Sequence, residues 1–360
     1  MFGLTALIIA GASIIGLMVI HELGHFTMAL IFKMPIEEFG LGLPPRLIAH
    51  KIKSVVVSLN LLPFGAFVRI KGEEDGEKKE GFNTFPAWQR ALVLVAGVVG
   101  NWLTAVVLFA IVAGSWGLPY AVADDAVAPQ AQLQVITVAP DSPAEEAGLK
   151  SGDWIVSVGV NEEMTAVHHL SEFTAFIDLH QGKAIELQLN KPEGLVLVSL
   201  IPRESPPAGE GAIGISFARV DIQHYAWWQA PKVGLIAAVN QTIAIPLSLG
   251  SVFSKWIHHQ PTPGASLVGP IGIGQMIMQT SQLGWRYLLQ FVAIIAIYFS
   301  LFNILPLPAL DGGRLIFLAV EGVRRKTVSP KIKEWLNGTF LILFMILLAL
   351  VTIKDIIHLF

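Results

Sequence analysis

Long apolar tracts of spanning length occur at four places, residues 4–32, 88–116, 287–305 and 336–353. A helix crosses a bilayer with roughly 20 such residues, so each predicts a spanning helix. A fifth tract, 233–256, is apolar but carries Asn240, Gln241 and Pro246, and is expected to lie in the membrane surface or pack on the helical core. Between the second and third tracts the pattern changes to alternation. Residues 133–138, 154–158, 185–189 and 196–201 read as strands, with a short helix opened by Pro143, Gly148 at its C-cap, and a second helix at 170–179. This is a small α+β domain inserted between spans. Residues 55–70, "VVVSLNLLPFGAFVRI", also have hairpin character, with Pro63 and Gly65 at the bend.

The expected architecture is therefore a polytopic α-helical membrane protein of about four spans, with a cytoplasmic, membrane-associated β-hairpin and an inserted α+β domain. Its segments are 1–116, 127–218, 219–285 and 286–360. Composition agrees, since 53% of the 360 residues are hydrophobic and only 14% charged, against about a quarter charged in soluble domains. The first tract lacks a basic leader and continues to Phe32, as a spanning helix does and a cleaved signal peptide does not. A net charge of −3 gives no signal for nucleic acid. With no cysteine, disulfides, thiolate ligands and thiol nucleophiles are excluded.

Lysine and arginine set an orientation. They crowd residues 33–87 and 306–335 and are sparse along the longer stretch 115–285, which places the first two segments in the cytoplasm and the inserted domain outside. His21 then lies about 25 Å from the outer end of its span, near the cytoplasmic side. The third span ends at the same depth, close to "NILPLPALDGG" (303–313).

"HELGH" (21–25) places three ionisable groups where lipid makes them costly. On a helix, positions i and i+4 share a face, so His21 and His25 can hold one metal ion while Glu22 serves bound water as a general base. Nitrogen and oxygen donors with an open position suit catalytic zinc. A third ligand is needed, and Asp311 is the best candidate, though the same residue could cap a helix starting at Gly312. Asn303 could donate to a substrate carbonyl or hydrogen-bond between helices.

These residues resemble the site-2 protease family of intramembrane zinc metalloproteases, in its RseP branch. The resemblance rests on "HELGH" and "NILPLPALDGG", and on a PDZ-like insert containing "SPAEEAGLKSGD". It extends to "LLPFGAFVRIKGE" (61–73), "LVGPIGIG" (267–274) and "AGVVGNWLTA" (96–105), where Val98 replaces a common proline. It implies zinc bound by His21, His25 and Asp311, catalysis by Glu22, and substrate-binding positions at Asn303, Pro306 and Asn101. It further implies a bacterial inner-membrane enzyme, in contact with lipid, that cleaves single-pass proteins already cut outside by a site-1 protease. The strand and helix signals leave room for one PDZ domain, which could bind a peptide or act as a bulky filter. Two other classes fit these residues less well. A non-enzymatic metal protein recruiting partners through the PDZ domain would not require Glu22, and a metal transporter would show internal repeats, which are absent.

Overall fold

The computed structural model describes residues 4–73, 81–161, 163–191, 194–207, 209–258, 268–324 and 328–357. The chain forms two compact units, one of Met1–Val112, Ala230–Ile245 and Leu267–Phe360, the other of Ala113–Gln229 and Pro246–Ser266.

In the first unit, helix α1 (Leu4–Ile31) is followed by two long strands, β1 (Ile36–Ile52) and β2 (Val55–Ile70), and then by α2 (Ala87–Trp116). Helices α6 (Pro270–Gln282), α7 (Trp285–Ile304), α8 (Asp311–Arg324) and α9 (Pro330–Ile357) complete it. Among the described residues five helices are long and apolar enough to cross a membrane. The fifth is α5 (Ala230–Ile257), one continuous helix over the tract that carries Pro246. Its first half packs on α2: Gly234 faces Val106 and Ala110, and Trp102 Nε1 donates to Thr242 Oγ1 at 3.0 Å. Trp88 and Trp116 stand at the two ends of α2, where amphipathic rings prefer the lipid–water boundary. None of the residues in the most apolar window of α9 is fully buried by protein, as lipid contact allows.

Small residues bring α1 and α2 together. Gly24 lies against the backbone of Ala96 and Gly97, and Gly100 against the Ile20 carbonyl, so the two backbones approach more closely than larger side chains permit.

The β1–β2 sheet differs from the expected hairpin. Residues 55–70 do not close on themselves. Residues 38–41 of β1 lie between the two halves of β2, facing 56–59 with numbers rising together and 66–69 with numbers running opposite. Residues 46–52 pair with the far side of 55–60, giving four ribbons from two strands. Gly40 is seated under the Phe67 ring, where any side chain would collide. The buried Glu38 carboxylate ties the ribbons together: it accepts Arg46 Nη2 at 2.7 Å on both oxygens, Ser58 Oγ at 2.6 Å and Arg69 Nη1 at 3.4 Å. These are one residue from each ribbon, and they satisfy a charge that would be expensive to bury alone.

The second unit is a sheet in the order β3-β9-β4-β5-β7-β8, with β6 beside β5. The strands are β3 (Leu118–Ala121), β4 (Gln132–Val138), β5 (Trp154–Val160), β6 (Glu163–Ala166), β7 (Ile185–Lys191), β8 (Gly194–Leu200) and β9 (Ile215–Gln223). Helices α3 (Pro143–Glu146) and α4 (Leu170–Leu179) lie within this segment. Leu133, Val135, Ile155, Ile185, Leu187, Leu189 and Phe173 form its core, and burying each contributes about 1.5–3 kcal/mol. Asp124, just after β3, receives the backbone N–H groups of Leu170 and Ser171 at 2.6 and 3.0 Å and so caps α4. Arg219 of β9 donates to the carbonyls of Ala123, Asp124, Ala126 and Ala128, fastening the same segment.

Candidate active site

His21 and His25 occupy one face of α1, with ring centroids 4.7 Å apart. The Val93 carbonyl lies 2.8 Å from His25 Nδ1 and can only accept, so Nδ1 carries the proton and Nε2 presents its lone pair inward. Gly97, one turn along α2 from Val93, makes room for the rings: a Cβ there would meet the His25 imidazole and come within 2.8 Å of His21 Cε1.

Asp311 arrives from a different part of the chain. Helix α7 stops at Ile304, the segment with Pro306 and Pro308 turns the chain, and α8 begins at Asp311. The two following glycines permit this turn, because a Cβ on Gly312 would strike the carbonyls of Ile304 and Leu305, and one on Gly313 that of Leu307. The buried Asp311 carboxylate is thereby held facing α1.

Three donor atoms form a small triangle. His21 Nε2 is 3.1 Å from His25 Nε2, and Asp311 Oδ2 is 3.0 Å from the first and 3.3 Å from the second. Donors of a tetrahedral zinc site, with bonds of about 2.0–2.1 Å, stand about 3.3 Å apart. Two imidazole nitrogens and a carboxylate oxygen at these separations fit a zinc ion, and nitrogen–oxygen sets of this kind are what catalytic zinc takes. Glu22 stands beside the pair: its carboxylate and the two imidazoles offer candidate ligand atoms within 4.8 Å of one another.

The histidines, Glu22 and Asp311 open on a cavity of about 430 Å³, walled also by Asn303 and by residues 67–70 of the sheet. Asn303 Nδ2 donates to the Phe299 carbonyl at 3.0 Å, which fixes the amide on the cavity wall. The other two expected substrate positions are elsewhere. Asn101 is fully buried, with neither amide atom hydrogen-bonded, and does not line the cavity. Pro306 is exposed and also outside the lining. Val93 and Gly97 of α2, and the cavity-lining Arg69, Glu73 and Arg314, join the site without being among the residues expected there. Gly97 carries a signal, since a small residue on a helix marks a close approach.

The profile of Peptidase family M50 matches residues 9–347. The chain belongs to this family, the site-2 proteases. M50 relatives extend over the same length. A protein of Clostridium perfringens, provisionally named a zinc metalloprotease, is 30% identical over 344 residues, covering 95% of each chain. Similarly named proteins of Clostridium acetobutylicum and of a Nostoc species are 29% and 30% identical, covering 95% and 94% of this chain and 94% and 92% of theirs. Among solved structures, the PDZ domain of an SdrC-like protein from Listeria monocytogenes aligns with 26% of this chain and 92% of that one, at 22% identity and a TM-score of 0.22.

Proposed function

We propose that this M50 zinc metalloendopeptidase cleaves transmembrane segments of single-pass proteins, at a zinc ion held by His21, His25 and Asp311. The carrying observation is the triangle of donor atoms, 3.0–3.3 Å on a side, drawn from α1 and α8 and open to a cavity that also contains Glu22. Zinc, when bound, supplies the positive charge that makes water a nucleophile near neutral pH. Glu22 takes the proton from the attacking water and returns it to the leaving amine. Asn303 spends one amide N–H on Phe299 and keeps the other for the substrate carbonyl oxygen. His25, fixed through Val93, holds its ligand nitrogen in place without rotating.

A helical substrate hides its carbonyls in its own hydrogen bonds and must unwind to be cut. Residues 67–70 line the cavity, and on the edge of 66–70 away from β1 no strand is paired among the described residues. An unwound substrate adds there as a further strand, its backbone paired while the scissile bond lies near the histidines. Leu47, Ile48, Leu59 and Leu61 expose roughly half or more of their surface on the same sheet, which supports its contact with lipid. The lysine and arginine distribution supports an orientation with the sheet cytoplasmic and the PDZ-like unit outside, and the bacterial relatives support an inner-membrane setting. A prior cut by a site-1 protease would supply a substrate short enough to enter, as in regulated release of a membrane-held protein.

The test uses purified protein in detergent and a synthetic transmembrane peptide. Glu22→Gln should keep its zinc and lose cleavage. Full activity in that variant would overturn the mechanism.

A further inference from the structure

The cavity has a second pair of charged walls. Arg314 Nη1 donates to Glu73 Oε1 at 2.8 Å, and both residues line the cavity. Arg314 lies on the first turn of α8, three residues after Asp311, where i and i+3 share a face. Glu73 follows the ribbon 66–70 directly, in a turn closed by its own N–H on the Ile70 carbonyl at 3.2 Å. Next to Arg314, Leu315 packs on the apolar cluster that contains Ile36 and Ile70. One ion pair thus joins the end of the ribbon to the helix that carries Asp311.

The pair is not needed to hold α8. The other end of that helix has its own clamp, in which Glu321 takes Lys333 of α9 at 2.7 Å and faces Arg90 of α2 at 3.8 Å. Nor does the pair add much to global stability, because the Arg314 side chain is 44% exposed and exposed pairs are screened. What the pair adds, and Glu321 does not, is a polar link between the ribbon and the Asp311 end of α8, beside the apolar contact of Leu315.

Building on the proteolytic reading, we infer that Arg314 is a positioning residue that clasps Glu73 to set the height of ribbon 66–70 over the histidine–aspartate site. Substrate backbone paired to that ribbon then lies at the depth of the reactive atoms. Without the clasp the ribbon still forms, because Glu38 holds the sheet, but only the apolar contact of Leu315 then holds it against α8, and its height over Asp311 is less sharply set.

Kinetics with the full chain in detergent test this. Glu73→Gln and Arg314→Gln should each raise KM about fivefold while kcat stays within about twofold, as expected when an interaction acts on binding rather than on the chemical step. Zinc per chain should not change. Arg314→Lys, which keeps the charge, should stay close to the unaltered protein, and the reversed pair Glu73→Arg with Arg314→Glu should restore most of the KM. Unchanged KM in both single variants, zinc loss parallel to activity loss, or no recovery in the reversed pair would overturn the assignment. Hydrogen exchange gives a reading free of turnover. Amides 66–73 should exchange faster in each Gln variant and recover in the reversed pair, and unaltered exchange overturns the clasp. If the unaltered protein cuts no transmembrane peptide, the proteolytic reading fails, and exchange alone decides whether the clasp exists.

Discussion

His21 Nε2 and Asp311 Oδ2 lie 3.0 Å apart, although one belongs to the first helix and the other follows the break after α7. Neither element supplies enough donors alone. His21→Ala and Asp311→Asn are each expected to lower zinc affinity by at least about tenfold and to lose cleavage with it, whereas Glu22→Gln lowers cleavage alone. Zinc content after dialysis against a graded chelator, set beside peptide cleavage, separates the two outcomes.

Gly97 makes a sharper prediction about packing. Gly97→Ala adds one methyl where the imidazoles stand, so the rings must turn or α1 and α2 must part. Zinc affinity should fall roughly tenfold or more, the size expected when a ligand loses its orientation. Gly16→Ala, in α1 with open space around it, is the control and should bind zinc normally.

Glu38 tests the sheet. Glu38→Ala leaves Arg46, Ser58 and Arg69 without their shared acceptor. Both arginines are half-exposed and recover hydration, which limits the loss to about 2 kcal/mol locally. Hydrogen exchange at 56–59 and 66–69 should show it as roughly a 30-fold drop in protection. Equal protection in the variant would mean the ribbons are held by backbone pairing alone.

The expected architecture was readable where one physical constraint acts on a local stretch. A helix in lipid shows as an unbroken apolar run, and His21 with His25 shows as a ligand pair because i and i+4 share a face. Asp311 was readable by need, since two donors are too few. The sheet was not. Residues 38–41 insert between the halves of β2, and nothing in the alternation of 55–70 indicates which strand becomes the neighbour. Strand β9 is not among the expected strands for a similar reason: it follows a loop rich in proline and glycine and lies across the expected boundary at 218. The Arg314–Glu73 pair joins residues distant in sequence, so no spacing rule marks it.

The inserted unit offers a pH prediction. Asp124 is held at about 2, below the ordinary aspartate value, by a hydrogen bond from the Ser171 side chain and by the N–H groups of Ser171 and Leu170, against the opposing effect of burial. Its folded form is favoured when ionised, so the cap is at full strength above the ordinary aspartate range and is lost as pH falls from about 4 toward 2. Amide protection at Leu170 and Ser171, corrected for intrinsic rates, should drop over that window. Asp124→Asn should show weaker protection at neutral pH and converge on the unaltered protein at the acid end.

Asp355, in the last turns of α9, accepts the backbone N–H groups of Gly269 at 3.1 Å and Gly272 at 2.8 Å. It thereby anchors the start of α6, and α6 packs in turn against α1, the helix of the two histidines. The last turns of α9 are therefore tethered, through one intermediary helix, to the element where the chemistry sits. A charge-neutralising change at Asp355 would loosen that intermediary, and the disturbance would travel sideways between helices rather than along the polypeptide.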